Sequence, residues 1–125
     1  MASLPCNCLL LVEDDELVRD TVSLMLQEDG FTVIEAGSAA EAIELVRGGL
    51  DVPIVVTDVD LGDGANGTEL ADAMFKIRPD LRVIFITGRT GSLANRARSE
   101  REAVLAKPFE SAALSSLIQR MTVGR

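Results

Sequence analysis

The stretch Ile54-Val55-Val56-Thr57-Asp58 decides how the chain is read. Three β-branched aliphatics and a threonine run straight into a carboxylate. The loop that follows is polar and glycine-rich: Val59-Asp60-Leu61-Gly62-Asp63-Gly64-Ala65-Asn66-Gly67. A short apolar run bounded by turn residues reads as a buried strand of a parallel sheet. Asp58 then stands at the carboxyl end of that strand, where open α/β sheets bind their ligands. Taken alone, the same aspartate also reads as a helix cap or loop residue, so its surroundings have to decide.

Upstream, Cys8-Leu9-Leu10-Leu11-Val12 repeats the pattern, ending in Glu13-Asp14-Asp15-Glu16. A helix follows, with Val18, Val22 and Met25 on its predicted inner face, widened by Leu17, Leu24 and Leu26. Asp15 is placed to cap it, and Gly30 to stop it. Phe31 to Ala36 is a second strand, rich in β-formers. Ser38-Ala39-Ala40-Glu41 has capping-box spacing and opens a second helix, whose stripe is Ala42, Ile43 and Val46 and which ends at Gly48-Gly49. Pro53 is tolerable as the first residue of the central strand.

Downstream, Thr68 to Arg78 reads as a third helix with Leu70, Ala73, Met74 and Ile77 inward, and Pro79 ends it. Arg82 to Thr87 is a fourth strand closing on Gly88. The arginine-rich segment from Arg89 to Arg101 has few apolar anchors and is expected to hold a short or mobile helix. Ala103 to Ala106 is a fifth strand ending at Lys107-Pro108-Phe109. The last helix carries Leu114, Leu117, Ile118 and Met121. Alternating strands and helices predict an α/β fold with a parallel sheet covered on both faces. The flavodoxin-like doubly wound order 2-1-3-4-5 is the expected topology.

Composition narrows the function. The chain has 125 residues, enough for one domain (1–125), and 47% of them are apolar. No apolar run approaches membrane-spanning length, and the start has no basic leader, so a cytoplasmic, non-membrane protein is expected. A net charge of −8 argues against direct nucleic-acid binding. The chain contains no histidine, which excludes Ser-His-Asp and Cys-His catalysis, and histidine metal ligation. Cys6 and Cys8 are too few for a zinc site and badly placed for a disulfide, so they read as reduced structural thiols.

What remains is the set of groups at the strand ends: Glu13 and Asp14 from the first, Asp58 and Asp60 from the third, Thr87 and Gly88 from the fourth, and Lys107 from the fifth. The proposed order makes these strands neighbours, so the groups converge on one crevice. Two like charges about 4 Å apart repel by roughly 4 kcal/mol at an effective dielectric near 20. Glu13, Asp14 and Asp58 therefore call for a cation, a shared proton or Lys107. An all-oxygen rim suits Mg²⁺. Lys107 and the Thr87 hydroxyl would be donors to a phosphoryl group, Gly88 leaves its approach open, and a carboxylate can itself accept the phosphoryl.

The ordered set Leu-Val-Glu13-Asp14-Asp15, Val-Val-Thr-Asp58, Ile-Thr87-Gly88 and Lys107-Pro108-Phe109 resembles a receiver domain of two-component response regulators over essentially the whole chain. That resemblance implies that Asp58 is the phosphoacceptor. It implies that Asp14 and Asp58 ligate Mg²⁺ directly, Glu13 mostly through water, and that the backbone carbonyl of Asp60 is the third protein ligand. It also implies that Thr87 and Lys107 contact the phosphoryl oxygens, and that the Lys107–Pro108 bond is cis. The implied partner is a histidine kinase or histidine phosphotransfer protein, with a downstream protein target that the sequence does not name. The implied activity is self-catalysed phosphorylation and dephosphorylation rather than turnover of a substrate. With no output domain after the last helix, the chain reads as a single-domain regulator or a domain cut from a larger protein. Three features depart from the family pattern. Val104 stands at a switch position that often carries Tyr or Phe. The loop after Asp58 has glycines and one extra residue. The segment between Thr87 and Lys107 is shortened and rich in arginine. Two alternatives are a haloacid-dehalogenase-like phosphatase, whose D-x-D motif Asp58-Val59-Asp60 resembles, and a degenerate receiver used only for interaction.

Overall fold

The computed structural model describes residues 7–61, 66–88 and 101–122. The elements run β1 (Cys8–Val12), α1 (Glu16–Glu28), β2 (Thr32–Ala36), α2 (Ala39–Arg47), β3 (Ile54–Asp58), α3 (Gly67–Ile77), β4 (Arg82–Thr87), β5 (Glu102–Ala106) and α4 (Ser111–Thr122). All pairings between strands are parallel, in the order β2-β1-β3-β4-β5. The expected flavodoxin-like arrangement is therefore the observed one. The anticipated segment from Arg89 to Arg101 lies outside the described residues save for Arg101, as does Cys6.

Each inner strand is apolar on both sides because each side meets its own layer of helices. Leu10, Val12, Val55, Val83 and Phe85 pack with Ala42 and Val46 of α2 and with Leu70 and Met74 of α3. The alternate residues Leu9, Leu11, Ile54, Val56, Ile84 and Ile86 pack with Leu26 of α1 and with Leu114 and Ile118 of α4. Successive strand residues point to opposite faces, so one uninterrupted apolar run supplies two cores. Cys8 is a free buried thiol whose ionisation burial pushes up, as fits an unreactive structural cysteine.

The helix ends follow their sequence signals with informative exceptions. Asp15 caps α1, accepting a hydrogen bond from the Val18 amide. Beyond its other end Gly30 takes φ +95°, a left-handed conformation that favours glycine. Ser38 caps α2, but Glu41 reaches back to the Gly37 amide rather than to that of Ser38, so the predicted box closes one residue early. The complete capping box lies instead at α3, between Asn66 and Glu69. That helix starts at Gly67, not Thr68. Its buried stripe is Leu70, Ala71 and Met74; Ala73 is only half-buried. Pro53 stands just before β3 and offers its carbonyl to the Arg82 amide.

The predicted inner face of α1 is corrected more substantially. Leu17, Val18 and Leu24 are exposed, at 76%, 38% and 59%. The buried positions are Ser23 and Leu26, with Arg19, Val22 and Met25 partly covered. Two polar residues turn inward because β2 offers them a partner: Glu35 accepts hydrogen bonds from Arg19 Nε and from Ser23 Oγ. A satisfied polar pair can occupy a place that hydrophobic periodicity would give to a leucine.

Candidate functional site at the carboxyl end of the sheet

The parallel register fixes which groups meet. Asp58 ends β3 opposite Ile86 of β4, and Thr87 ends β4 opposite Ala106 of β5. The residue after Ala106 is Lys107, whose amide donates to the Thr87 carbonyl at 2.9 Å. Its side chain then turns back across β4. Lys107 Nζ lies 2.5 Å from Asp58 Oδ2, joining the ends of β5 and β3. The other Asp58 oxygen, Oδ1, accepts from the Asp60 amide at 2.9 Å. Asp58 is only 9% exposed, so its carboxylate is a buried group with both oxygens engaged. The Lys107–Pro108 peptide is cis, as the resemblance implies.

Glu13 reaches the same place from β1. It is buried, and its Oε1 accepts from the Asp15 amide at 3.1 Å. Burial pushes its carboxyl up to about 7. The Asp15 amide opposes that shift, while Asp14 and Asp58 add to it through hydrogen bonding and, from Asp58, charge. The rise reports chiefly the cost of holding a carboxylate in a partly dry place, with the neighbouring acids a lesser cause. Lys107 responds in the opposite sense. Burial pulls its ammonium down, but Asp58, Glu13 and Asp60 outweigh this and raise it. Asp14 is exposed at the rim beside Glu13, and Asp60 is exposed beyond Asp58. Thr87 is buried, and a Cβ at Gly88 would meet nothing within 4 Å.

Glu13, Asp14, Asp58, Asp60, Thr87, Gly88 and Lys107, the groups expected at the site, thus stand at one end of the sheet. Glu13, Asp14, Asp58, Asp60 and Lys107 form one electrostatic cluster. Among the described residues the acids do not make a ready-formed cage of three metal ligands. The donor set does suit a hard cation that keeps several of its waters and takes one or two carboxylates. A groove of about 520 Å³ opens beside the cluster, lined by Glu13, Lys107, Val18, Val22, Ile86 and Phe109 among others.

Gly67 was read in the sequence only as the end of a loop, yet it sets the position of Asp58. A Cβ there would lie 2.4 Å from the Asp58 carbonyl oxygen and 3.1 Å from Val59 Cα. Its amide donates to the Val59 carbonyl at 2.7 Å. The first residue of α3 therefore rests directly on the backbone that carries the aspartate. The signal available in the sequence was Asn66-Gly67-Thr68-Glu69, a capping box with a glycine inside it.

Comparison with known proteins agrees with this fold. The family model for the response regulator receiver domain matches residues 9–119. The response regulator receiver protein CpdR of Brucella abortus is 32% identical over 119 residues, covering 92% of this chain and 96% of CpdR. The sensor kinase CckA of the same organism is 35% identical, but the match takes in 90% of this chain and only 12% of CckA. The chain likewise spans less than half the length of other curated relatives it matches. Among solved structures, a response regulator receiver protein from Sinorhizobium medicae superposes with a TM-score of 0.85 at 25% identity, over 94% of each chain. A matched model over nearly the whole length, a relative matched almost end to end and the same sheet order place this chain in the response regulator receiver domain family of two-component signalling.

Proposed function

We propose that the chain accepts a phosphoryl group on the Asp58 carboxylate from a phosphohistidine of a histidine kinase or histidine phosphotransfer protein, with Mg²⁺, in the cytoplasm. The observation that carries this reading is the buried Asp58 bonded to Lys107 beside the buried Glu13. In the transfer, an Asp58 oxygen attacks phosphorus in line, a P–O bond forms, and the P–N bond to the donor imidazole breaks. Lys107 holds the acceptor beforehand, and its raised affinity for a proton keeps it a cation that can follow the phosphoryl oxygens. Thr87, at the end of the neighbouring strand, is the neutral donor to the same oxygens.

Glu13, Asp14 and Asp58, with the Asp60 carbonyl, would hold the metal. Bound there, Mg²⁺ supplies Lewis-acid neutralisation of the charge gathered between carboxylates and phosphoryl. The buried Glu13 carboxyl beside the exposed Asp14 is the feature of this chain that fits a cation, since together they offer hard oxygen donors at the open end of the sheet. The phosphorylated state would shift partner binding on the face of β5 and its neighbouring helices. Val104 is half-buried, paired in register with Phe85 and packed on the α2–α3 side of the core. A Thr–aromatic rotamer switch cannot run through it.

The dehalogenase-like alternative places its D-x-D motif after the first strand, whereas Asp58 ends the third. The intact acid set and lysine favour an acceptor over a receiver kept only for docking. The test is mass spectrometry after acetyl phosphate and Mg²⁺. A labile adduct of about 80 Da, one phosphoryl on a carboxylate, is expected on the native chain and absent from Asp58→Asn. A native chain that stays unmodified, or an adduct that survives Asp58→Asn, would sink the reading.

A further inference from the structure

We infer that Arg19 is a positioning residue for the acid pair Glu13–Asp14, and that Glu35 on β2 holds it in that role. The inference rests on the reading that this pair takes Mg²⁺. Arg19 lies on the sheet-facing side of α1 with its side chain 19% exposed. Its Nη1 donates to the backbone carbonyl of Glu13 at 2.9 Å, and its Nε pairs with Glu35 Oε1 at 3.3 Å. The other oxygen of Glu35 accepts from Ser23 Oγ at 3.2 Å, and Ser23 Oγ in turn accepts from Gln27 Nε2 at 2.9 Å. Gly37 leaves the room for this arrangement: a Cβ there would stand 3.1 Å from Nη1. On the other side of the same residue, the Glu13 amide donates to the Ala36 carbonyl at 3.1 Å.

What Arg19 grips is the peptide unit between Glu13 and Asp14. The carbonyl of Glu13 and the amide of Asp14 share one rigid plane. With the Glu13 amide already held on Ala36, fixing that plane sets the direction in which the Glu13 side chain leaves the backbone and the position from which Asp14 starts. The guanidinium does this through the backbone, leaving the two carboxylates for a cation. The fork geometry matters, because one planar group spans a carbonyl and a carboxylate together, and a lysine ammonium has no such fork. Glu35 is thereby a support one step further from the metal, of the kind that tunes affinity without touching the ion.

The experiment compares Arg19→Met, Arg19→Lys and Glu35→Gln in the full chain. Mg²⁺ affinity is read by NMR titration of the Asp14 amide, and thermal stability by melts in EDTA. Arg19→Met is expected to weaken Mg²⁺ binding by about tenfold, the lower end for loss of such a support. Arg19→Lys should recover only part of that loss, and Glu35→Gln should weaken binding by a smaller factor. Combined with Arg19→Met, Glu35→Gln should add nothing, since both act through one contact. Native-like Mg²⁺ affinity in Arg19→Met, whatever its melting temperature, overturns the inference: Arg19 would then only join α1 to β2. Should Arg19→Met fail to fold, Glu35→Gln decides alone, with weaker binding supporting the role and unchanged binding overturning it. A native chain that takes up no Mg²⁺ overturns the functional reading itself. Native uptake that Arg19→Met leaves intact overturns only this positioning role.

Discussion

The two ends of the sheet handle charge in opposite ways. At the amino end, Arg78 donates to the Leu50 carbonyl and lies 2.9 Å from Asp51 and 3.8 Å from Asp80. Both acids are well exposed, so water screens whatever the guanidinium does not meet. At the carboxyl end, Glu13 and Asp58 are buried, Asp14 and Asp60 crowd their rim, and Lys107 is the cation bonded to Asp58. The first arrangement is charge used as mortar, paired and wet. The second is charge held partly dry, with four acids gathered about one ammonium, the kind of arrangement that clusters at functional sites.

That contrast can be broken most sharply by moving one cation at each end. Lys107→Met should cut acetyl-phosphate labelling of Asp58 by about a hundredfold or more, the scale for losing a preorganised donor to a developing oxyanion. Arg78→Met should leave labelling unchanged, as intact-mass time courses of the two variants would show. Equal loss in both would mean that the two ends are not functionally distinct. Gly67→Ala probes the backbone under the acceptor. Because the new Cβ would strike the Asp58 carbonyl, it should destabilise the chain by about 1–3 kcal/mol, the range for overpacking, and slow labelling as well. Urea titration together with the same labelling assay checks both parts.

A third test concerns pH. Glu13 is raised in the fold to about 7 from an ordinary 4.5, so the native state binds its proton more tightly than the unfolded chain. Its contribution to stability is therefore fully present below about 4.5 and is lost as pH climbs through 7. In EDTA, Glu13→Gln should accordingly gain on the native chain as pH rises from 4.5 to about 7, and added Mg²⁺ should shrink the difference. Paired thermal melts across that range would show the opposite sign if Glu13 sat ionised and content. The smallest effect is expected at the amino end. Arg78→Met should lower stability by about 1 kcal/mol, since its exposed partners contribute little and the Leu50 carbonyl loses one donor.

Most of this architecture was open to reading in the residues themselves. Strand runs such as Ile54–Asp58 and Leu9–Val12 are short, apolar and end in acids, and that pattern carries both the sheet and its functional edge. The parts that escaped share a cause. Arg19 and Ser23 face inward because Glu35, sixteen and twelve residues away, waits on β2. Periodicity along α1 knows nothing of β2, so it assigned Leu17, Val18 and Leu24 to the core instead. Gly67 escaped for the same reason: its requirement comes from the Asp58 backbone, a neighbour in space. Single positions are legible when their partners lie on the same element and obscure when a partner arrives through the fold.

The Asp60–Asn66 bridge and the Gly67–Val59 hydrogen bond together pinch the excursion after β3 at its base. The number of residues above the pinch is thereby uncoupled from the geometry below it. Lengthening a loop closed at its base is inexpensive, about 0.6 kcal/mol for each doubling. A residue inserted above the pinch would therefore be absorbed without disturbing the acceptor. Sequence above the pinch is thus left free to vary while the aspartate beneath stays where it was.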